Sequence, residues 1–373
     1  MTKVAQNHEG RRRRKMRIAS IGVGCALGLV GGEFGARVFA WMREASKRSA
    51  FERMRSGNAT LPVDRDAKLG EIVAPSAHDD VVYELIPGAI ARFQGVECRF
   101  NTEGFRGPPP PPRERAPGSV RIVGLGDSVT FGWGVNESDC FLRRVERSLR
   151  ERLPDRIVDV INTGVPGYNT AMEVAAFAHR ADRLRPDIVL LDWVGNDADL
   201  PNLIANESDP LDLSRSFLYD LARKALGWRT QWQTGPLMDA PFAGEHYERD
   251  PLRVPERYRD MVGEAGVERA MRRLAALAEL QRFRVVVCSH YGVPDFVRRV
   301  SDQLGWPVLD GVDDVHAALR ERGLEPQNYR TSDLVLSPDD PHPSSRAHAR
   351  YAERLCDFLQ KAGWLENGAL SPR

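Results

Sequence analysis

The sequence lacks most of the signals that would assign it to a class at once. Its 373 residues carry a formal net charge of only +1, and no basic stripe runs through the body, so nothing favours nucleic acid binding. The five cysteines contain no C-x-x-C pair, which argues against a zinc ribbon or a redox motif. No further ligand is spaced to complete a metal site with Asp339, His342 and His348, so neither a metal nor another cofactor is expected.

The composition is nevertheless that of a folded protein. Hydrophobic residues make up 42% of the chain and charged residues 28%, and the length suits one large α/β domain with additions, or two domains. Cys288 and Cys356 stand in apolar runs and are expected in the core. Cys98 and Cys140 could pair in an oxidising compartment, and the sequence leaves that open.

A long uncharged run lies near the amino terminus, after a basic segment at 1–17. The run, Ile18–Gly32, would measure about 22 Å as a helix, short of a hydrocarbon core of roughly 30 Å. Continuing it to residue 42 is sufficient and includes Glu33 and Arg37, which are four apart and can pair on one helix face. The basic segment predicts an uncleaved anchor over 18–42, with its amino end in the cytoplasm and the body outside.

Two alternatives for this anchor stay open. A signal peptide cleaved after Val38-Phe39-Ala40 competes with it, although charges so close before a cleavage site are unusual. Small residues recur at every fourth position, and such a ridge predicts a transmembrane partner helix along Gly24, Gly28 and Gly32. The alternative is that Gly and Ala are simply common in membrane helices.

Residues 43–118 connect the anchor to the main domain. After a charged stalk, Val81–Leu85 and Ala91–Phe100 alternate like two strands, with Pro87-Gly88 as the turn between them. Asn101–Gly107 then leads into five prolines, Pro108–Pro112, which predict a stiff polyproline II connector.

From 119 to 365 strand and helix patterns alternate, which predicts a parallel sheet covered on both sides. Between 201 and 259 the pattern lapses, and this aromatic-rich stretch is expected to be an insertion over the carboxyl edge: a lid, a substrate wall or a packing flap. A tail follows at 366–373. The expected strands are 122–125, 157–161, 188–194, 284–289 and 306–310, and the expected helices are 141–153, 170–184, 268–280 and 343–359.

Three of these strands end in small or polar residues at the same edge of the sheet. Ser128 follows the first in Gly126-Asp127-Ser128, Gly167 follows the second, and Asn196 follows the third in Gly195-Asn196-Asp197. A fourth element, Asp339-Asp340-Pro341-His342, precedes the last helix.

These residue types are the ones that acyl transfer through a serine requires. His342 can act as the base for the Ser128 hydroxyl, and a neighbouring carboxylate, Asp339 or its rival Asp340, can fix the imidazole tautomer. The developing oxyanion needs donors, which the backbone N–H groups of Ser128 and Gly167 and the side-chain amide of Asn196 can supply.

The four blocks, in this order, resemble the SGNH (GDSL-type) hydrolase family over roughly 121–359. The resemblance implies a flavodoxin-like three-layer α/β/α fold of about five parallel strands, with ester or acyl chemistry that needs no metal. It also implies Ser128 as the nucleophile, His342 as the base and, on the family's D-x-x-H spacing, Asp339 as the orienting carboxylate.

A looser resemblance concerns the amino-terminal region. Glu33-x-x-x-Arg37 followed by Asn101–Gly107 is similar to a membrane-anchored bacterial subgroup found with cell-envelope polysaccharide enzymes. This resemblance implies a single-pass protein of the bacterial inner membrane with a periplasmic catalytic domain.

The remaining polar residues near the blocks have structural interpretations. Asp127 is expected to hold its turn, and Asp197 to cap or brace a loop. His348 is expected to pack or to be hydrogen-bonded on the closing helix. For His290 a structural role is expected, with a substrate contact as the alternative.

Three functions are compatible with the sequence. The first is an extracytoplasmic serine esterase that removes acyl groups, such as acetyl, from an envelope carbohydrate or lipid. The second is an O-acyltransferase of an exopolysaccharide that uses the same triad. The third is a non-catalytic, anchored binding or assembly protein.

Overall fold

The computed structural model describes residues 2–56, 61–204, 211, 213, 216–225 and 248–365. The chain forms two compact units. The first contains Met1–Ser46 and Glu207–Arg229, and the second contains Lys47–Asn206 and Thr230–Arg373. Much of the expected insertion at 201–259 and the whole tail at 366–373 lie outside the described residues.

The described residues form eleven α-helices and eleven β-strands. In the amino-terminal part they are α1 (Thr2–Arg55), α2 (Leu69–Ile72), β1 (Val73–Pro75), β2 (Tyr83–Leu85), β3 (Ile90–Phe93) and β4 (Val96–Arg99). They continue with β5 (Val120–Leu125), α3 (Ser128–Phe131), α4 (Phe141–Arg152), β6 (Val158–Asn162), α5 (Thr170–Ala178), α6 (Ala181–Leu184), β7 (Ile188–Asp192) and α7 (Phe217–Ala225). The last are α8 (Gly263–Gln281), β8 (Arg284–Ser289), α9 (Asp295–Leu304), β9 (Val308–Asp310), α10 (Val312–Arg320), β10 (Val335–Ser337), β11 (Asp340–Pro343) and α11 (Ser345–Lys361).

A five-stranded parallel sheet in the order β6-β5-β7-β8-β9 forms the centre of the second unit. Every residue of β5 and β7 is buried, as expected for strands covered on both faces. Helices α5, α8 and α9 pack on the face that carries Val123 and Val189, and α4 and α11 pack on the face that carries Ile122. The predicted three-layer α/β/α fold is therefore confirmed.

The sheet order places the site. The chain passes from β5 to β6 on one side of β5 and then crosses to β7 on the other side, so the direction of the connections reverses at β5. Such a reversal opens a crevice at the carboxyl ends of the two strands, where ligands bind in open α/β sheets. Gly126 directly follows β5, and Trp193 directly follows β7. The segments that begin there leave the sheet at this crevice.

Pro87-Gly88 forms the predicted turn between two strands, but the strands on either side of it do not pair with each other. Strand β2 pairs with β1 and not with β3, and the predicted strand Ala91–Phe100 is divided into β3 and β4. The physical reason is a two-residue turn at Gln94 and Gly95, both of which have positive φ, as a tight hairpin turn requires. Cys98 and Cys140 are both buried free thiols, so the open pairing between them is not formed.

The β1–β4 region is joined to the segment that follows β5 by buried polar contacts. Arg106, only 1% exposed, donates to the carbonyl oxygens of Phe131 (3.0 Å), Val135 (2.7 Å) and Gly132. Its guanidinium also lies 4.7 Å from the Phe131 ring centroid. The residues after the nucleophile turn are therefore held from the amino-terminal side.

In the first unit, α1 carries the apolar segment. Ala19–Arg55 contains a stretch long and apolar enough to cross a membrane, and among the described residues it is the one helix with that property. The predicted Glu33–Arg37 pair is present, with N and O 2.8 Å apart.

Glu33 also caps α7. Its carboxylate accepts from the Ser216 hydroxyl (2.7 Å) and from the N–H groups of Phe217 (3.0 Å) and Leu218 (2.9 Å). A Cβ built on Gly32 would lie 3.1 Å from Leu218, whereas one built on Gly24 or Gly28 would meet no described atom within 4 Å. Part of the small-residue ridge thus contacts a helix of the same chain.

Candidate active site

The turn that carries Ser128, the predicted nucleophile, is formed by the end of β5 and the start of α3 and is called the nucleophile turn below. Asp127 caps α3 by accepting from the Val129 N–H at 3.2 Å, which agrees with its expected role in holding the turn. A Cβ on Gly126 would overlap Thr130 and lie 3.2 Å from the Asp192 Cβ, so only glycine fits there. Ser128, at the first position of α3, is 9% exposed.

The structure brings Ser128, His342 and a carboxylate into one chain of hydrogen bonds. Ser128 Oγ lies 2.9 Å from His342 Nε2, and His342 Nδ1 lies 2.6 Å from Asp340 Oδ1. The His342 backbone N–H donates to the same Asp340 oxygen at 3.1 Å. This is the arrangement in which a base receives the serine proton while a carboxylate holds the imidazole.

The carboxylate that is hydrogen-bonded to His342 is Asp340 and not the predicted Asp339, so the prediction is corrected on this contact. Asp340 and His342 are two residues apart on β11, so their side chains lie on the same face of the strand. Asp339 precedes the strand in the turn between β10 and β11, and it is exposed.

Burial alone would raise the pKa of Asp340. The hydrogen bonds from His342 and Trp133 and the charge of His342 outweigh it, so the pKa of Asp340 falls below its ordinary value. Asp340 is thus ionised at neutral pH, as the orienting role requires.

The expected oxyanion donors lie around the same turn. Asn196 Nδ2 donates to Asp127 Oδ2 at 2.9 Å, and Ser128 Oγ lies 3.2 Å from that oxygen. Asn196 Nδ2 also lies 3.5 Å from the Tyr168 carbonyl oxygen, one residue after Gly167. Gly167 has a positive φ of 78° and accepts from the Asn202 N–H at 2.8 Å. The structure thus groups Ser128, Gly167 and Asn196 on adjacent turns.

Beneath these turns lies a group of buried acids that the sequence analysis did not connect. Burial raises the pKa of Asp127, and it raises the pKa of Asp192 to about 7. Burial, followed by the proximity of other carboxylates, raises the pKa of Glu173 and Asp197 well above the ordinary values. Asp197 accepts from the Val194 N–H at 2.9 Å, so it braces the loop that carries Asn196.

The two other candidate histidines are structural. His348 Nδ1 accepts from the Phe141 N–H at 3.3 Å, and its ring stacks on that phenylalanine. His290 Nε2 lies 3.3 Å from the Tyr329 hydroxyl. Burial lowers the pKa of each to about 3, so both are neutral. Within the described ranges, no three His, Cys, Asp or Glu side chains are grouped to hold a metal ion.

Trp133 is the site residue that sequence reasoning missed. Its indole N–H donates to Asp340 Oδ2 at 3.0 Å, and its ring stacks on His342 with centroids 4.8 Å apart. The available signal was its place five residues after Ser128 in the nucleophile segment, but its partners lie more than 200 residues away.

Comparison with known proteins bears on the family of the chain. The profile of the GDSL-like lipase/acylhydrolase family matches residues 125–350, whereas no curated protein matches the chain. Similar solved structures include TesA, at 14% identity and a TM-score of 0.36, with 65% of this chain and 98% of that chain covered. A lipase/acylhydrolase from Enterococcus faecalis is 15% identical at a TM-score of 0.35, with 65% and 96% covered.

LAE5, an α/β hydrolase from the metagenome of Lake Arreo, is 18% identical at a TM-score of 0.39, with 69% of this chain and all of that chain covered. The family profile extends over more than half of the sequence and includes Ser128, Asn196 and His342. The chain therefore belongs to the GDSL-like lipase/acylhydrolase family of serine hydrolases.

Proposed function

We propose that this protein is a membrane-anchored esterase whose catalytic domain lies outside the cytoplasm and cleaves acyl esters, such as acetyl esters, of envelope carbohydrate or lipid. The observation that carries the proposal is the hydrogen-bonded series from Ser128 Oγ through His342 to Asp340, at 2.9 and 2.6 Å. A non-catalytic binding protein would have no need of this alignment.

The proposed reaction begins with attack by Ser128 Oγ on the ester carbonyl carbon. His342 Nε2 takes the hydroxyl proton and then gives it to the leaving alcohol oxygen as the C–O bond breaks. Asp340 keeps the Nδ1–H tautomer and stabilises the imidazolium. Water then attacks the acyl-serine with His342 again as the base, releasing the acid and restoring Ser128.

The oxyanion is proposed to form between the nucleophile turn and the Asn196 loop. An amide carries two N–H donors, so Asn196 can keep its bond to Asp127 and exchange its long 3.5 Å contact with the Tyr168 carbonyl oxygen for the oxyanion. The backbone N–H groups of Ser128 and Gly167 are the other two proposed donors. Preorganised donors of this kind each contribute about 3–4 kcal/mol to transition-state stabilisation in comparable sites.

Anchoring is proposed from the apolar part of α1. This stretch has the length to span a bilayer and follows a basic segment, which favours an amino end in the cytoplasm. A reporter that is active only in the cytoplasm, fused after Arg373, is expected to be silent. An active reporter would reverse the proposed topology.

The enzymatic proposal is tested on the full-length protein in detergent with an activated short-chain aryl ester. Turnover and covalent labelling by a fluorophosphonate are expected, and both should be lost in Ser128→Ala. Equal inertness of wild type and variant, together with absence of labelling, would refute the proposal. Adding a polysaccharide acceptor distinguishes transfer from hydrolysis, because transfer moves the acyl group to the sugar and lowers the yield of free acid.

A further inference from the structure

We propose that Trp133 is a positioning residue for the Asp340–His342 pair, an inference that rests on the proposed esterase function. The indole is placed by the nucleophile segment itself. Helix α3 ends at Phe131 with Gly132 as its cap, and the backbone N–H of Trp133 donates to the Ser128 carbonyl oxygen at 2.9 Å. The residue that supplies the nucleophile therefore also fixes the backbone of Trp133.

The indole contacts both members of the pair. Its N–H donates to Asp340 Oδ2 at 3.0 Å, while the other oxygen, Oδ1, accepts from His342 Nδ1 at 2.6 Å and from the His342 N–H at 3.1 Å. Both carboxylate oxygens are thereby engaged, which fixes the plane of the group. The indole and imidazole planes are 16° apart with centroids separated by 4.8 Å.

This support matters because the element that carries Asp340 is slight. Strands β10 and β11 form a two-stranded ribbon of three and four residues, separate from the central sheet. Two-stranded ribbons have little stability of their own. The side chain of Asp340 is 32% exposed. Without the indole, Oδ2 would be hydrogen-bonded only to water, and the plane of the carboxylate would no longer be fixed.

Two packing contacts hold the indole against the ribbon. Phe93 of β3 meets the Trp133 ring edge-on, with centroids 5.1 Å apart. Leu336 of β10 occupies the space where a Cβ of Gly134 would be, so the ribbon lies directly on the nucleophile segment. The amino-terminal strands, the nucleophile segment and the base are thus joined through one side chain.

The stacked indole also has an electrostatic consequence. His342 becomes an imidazolium during both halves of the reaction, and the face of a tryptophan attracts a cation placed over it. Two acids of the described residues face the imidazole: Asp340 on its own strand and Asp127 from the turn that carries Ser128. Of these two, Asp340 loses a hydrogen-bond donor in Trp133→Phe, whereas the phenylalanine keeps an aromatic face over the imidazole.

The test is Trp133→Phe, which keeps a ring for stacking and removes the N–H donor, with Trp364→Phe as the matched control. Trp364 is partly buried against Phe358 in the core, away from the site. We expect Trp133→Phe to lower kcat about 5- to 20-fold with little change in KM, since a lost hydrogen bond to a charged group is typically a tenfold effect. The control should remain within twofold of wild type.

A pH profile separates positioning from general destabilisation. With one donor lost, the Asp340 carboxylate stabilises the imidazolium more strongly, so the acid limb of kcat/KM is expected to move to higher pH. In an Asp340→Ala background, Trp133→Phe should have almost no further effect, because its partner is absent. A uniform loss of activity with an unmoved acid limb, or fully additive effects, would overturn the proposal.

A fluorescence readout keeps the inference independent of activity. A protonated imidazole stacked on an indole quenches its emission, so the emission difference between wild type and Trp133→Phe should titrate with pH. That titration should disappear in His342→Gln. If wild type proves catalytically inert but the titration is present, the esterase proposal fails and the positioning contact stands; if wild type is active and the difference does not titrate, the positioning proposal is the one refuted.

Discussion

Asp340 and Asp339 offer a pair of adjacent, chemically identical side chains on which the site geometry can be tested. Asp340→Asn removes the negative charge that lies 2.6 Å from His342 Nδ1 but leaves the residue's size unchanged. Asp339→Asn makes the same change one residue earlier, at an exposed turn position. Any effect of the substitution that does not depend on the hydrogen bond to His342 should be common to both.

The magnitude follows from the contact. Two unit charges about 3 Å apart interact by about 5 kcal/mol at an effective dielectric constant of about 20. The side chains of His342 and Asp340 are 18% and 32% exposed, so solvent reduces this value. A loss of about 3–5 kcal/mol of transition-state stabilisation corresponds to a decrease in kcat of about 10²- to 10⁴-fold.

The assay is hydrolysis of an activated aryl ester by full-length protein, followed across pH. Asp340→Asn should lose kcat by that factor, and its acid limb should move to lower pH because the imidazolium has lost its counter-charge. Asp339→Asn should stay within about twofold of wild type, as most exposed substitutions do. Equal losses in the two variants, or a larger loss in Asp339→Asn, would refute the assignment of the orienting role.

Three further predictions concern stability. Because burial raises the pKa of Glu173 and Asp197, their contribution to stability is complete below the ordinary carboxyl range and is lost as pH rises through the raised values. The melting temperature should therefore fall as pH rises above the ordinary carboxyl range, and Glu173→Gln should flatten that dependence; a slope identical to wild type would contradict it. Gly126→Ala should cost at least about 1–3 kcal/mol in urea unfolding, since its Cβ would overlap Thr130, and a neutral result would show that the turn can relax. Glu33→Ala should remove the cap of α7 at a cost of about 1 kcal/mol and increase proteolysis near Phe217, whereas an unchanged digestion pattern would argue against the cap.

The parts of the site that the sequence predicted are those that strand ends determine. A buried run followed by a turn locates Ser128 and Asn196, because parallel strands deliver their carboxyl ends to one edge. Asp339 was preferred over Asp340 on motif spacing, and the choice failed because it depends on where β11 begins. A strand that starts at Asp340 turns that residue, and not its neighbour, toward His342.

Trp133 was out of reach of sequence reasoning for a different reason. Its role arises from contacts with Asp340 and His342 on a ribbon far away in the chain, and no local pattern encodes such a pairing. The pairing of the amino-terminal strands was out of reach for the same reason. The alternation around Pro87-Gly88 correctly indicates strands, but β2 pairs with β1, which no local pattern specifies. Local patterns predicted the presence of these elements but not their partners.

The buried guanidinium of Arg106 has a consequence for where this enzyme begins. It donates to three backbone carbonyl oxygens that follow Ser128. The hydroxyl of Tyr83, from the same amino-terminal region, donates to the Pro166 carbonyl oxygen, and the Tyr83 carbonyl oxygen accepts from the Tyr168 hydroxyl, so these bonds lie on either side of Gly167. A protein shortened to the start of β5 would leave both turns without these hydrogen bonds and would expose Phe131 and Tyr168, which pack against residues of β2 to β4. The smallest part of the chain expected to fold as a hydrolase therefore begins well before residue 125, where the family match starts. Any truncation or chimaera should keep strands β1 to β4 with the enzyme.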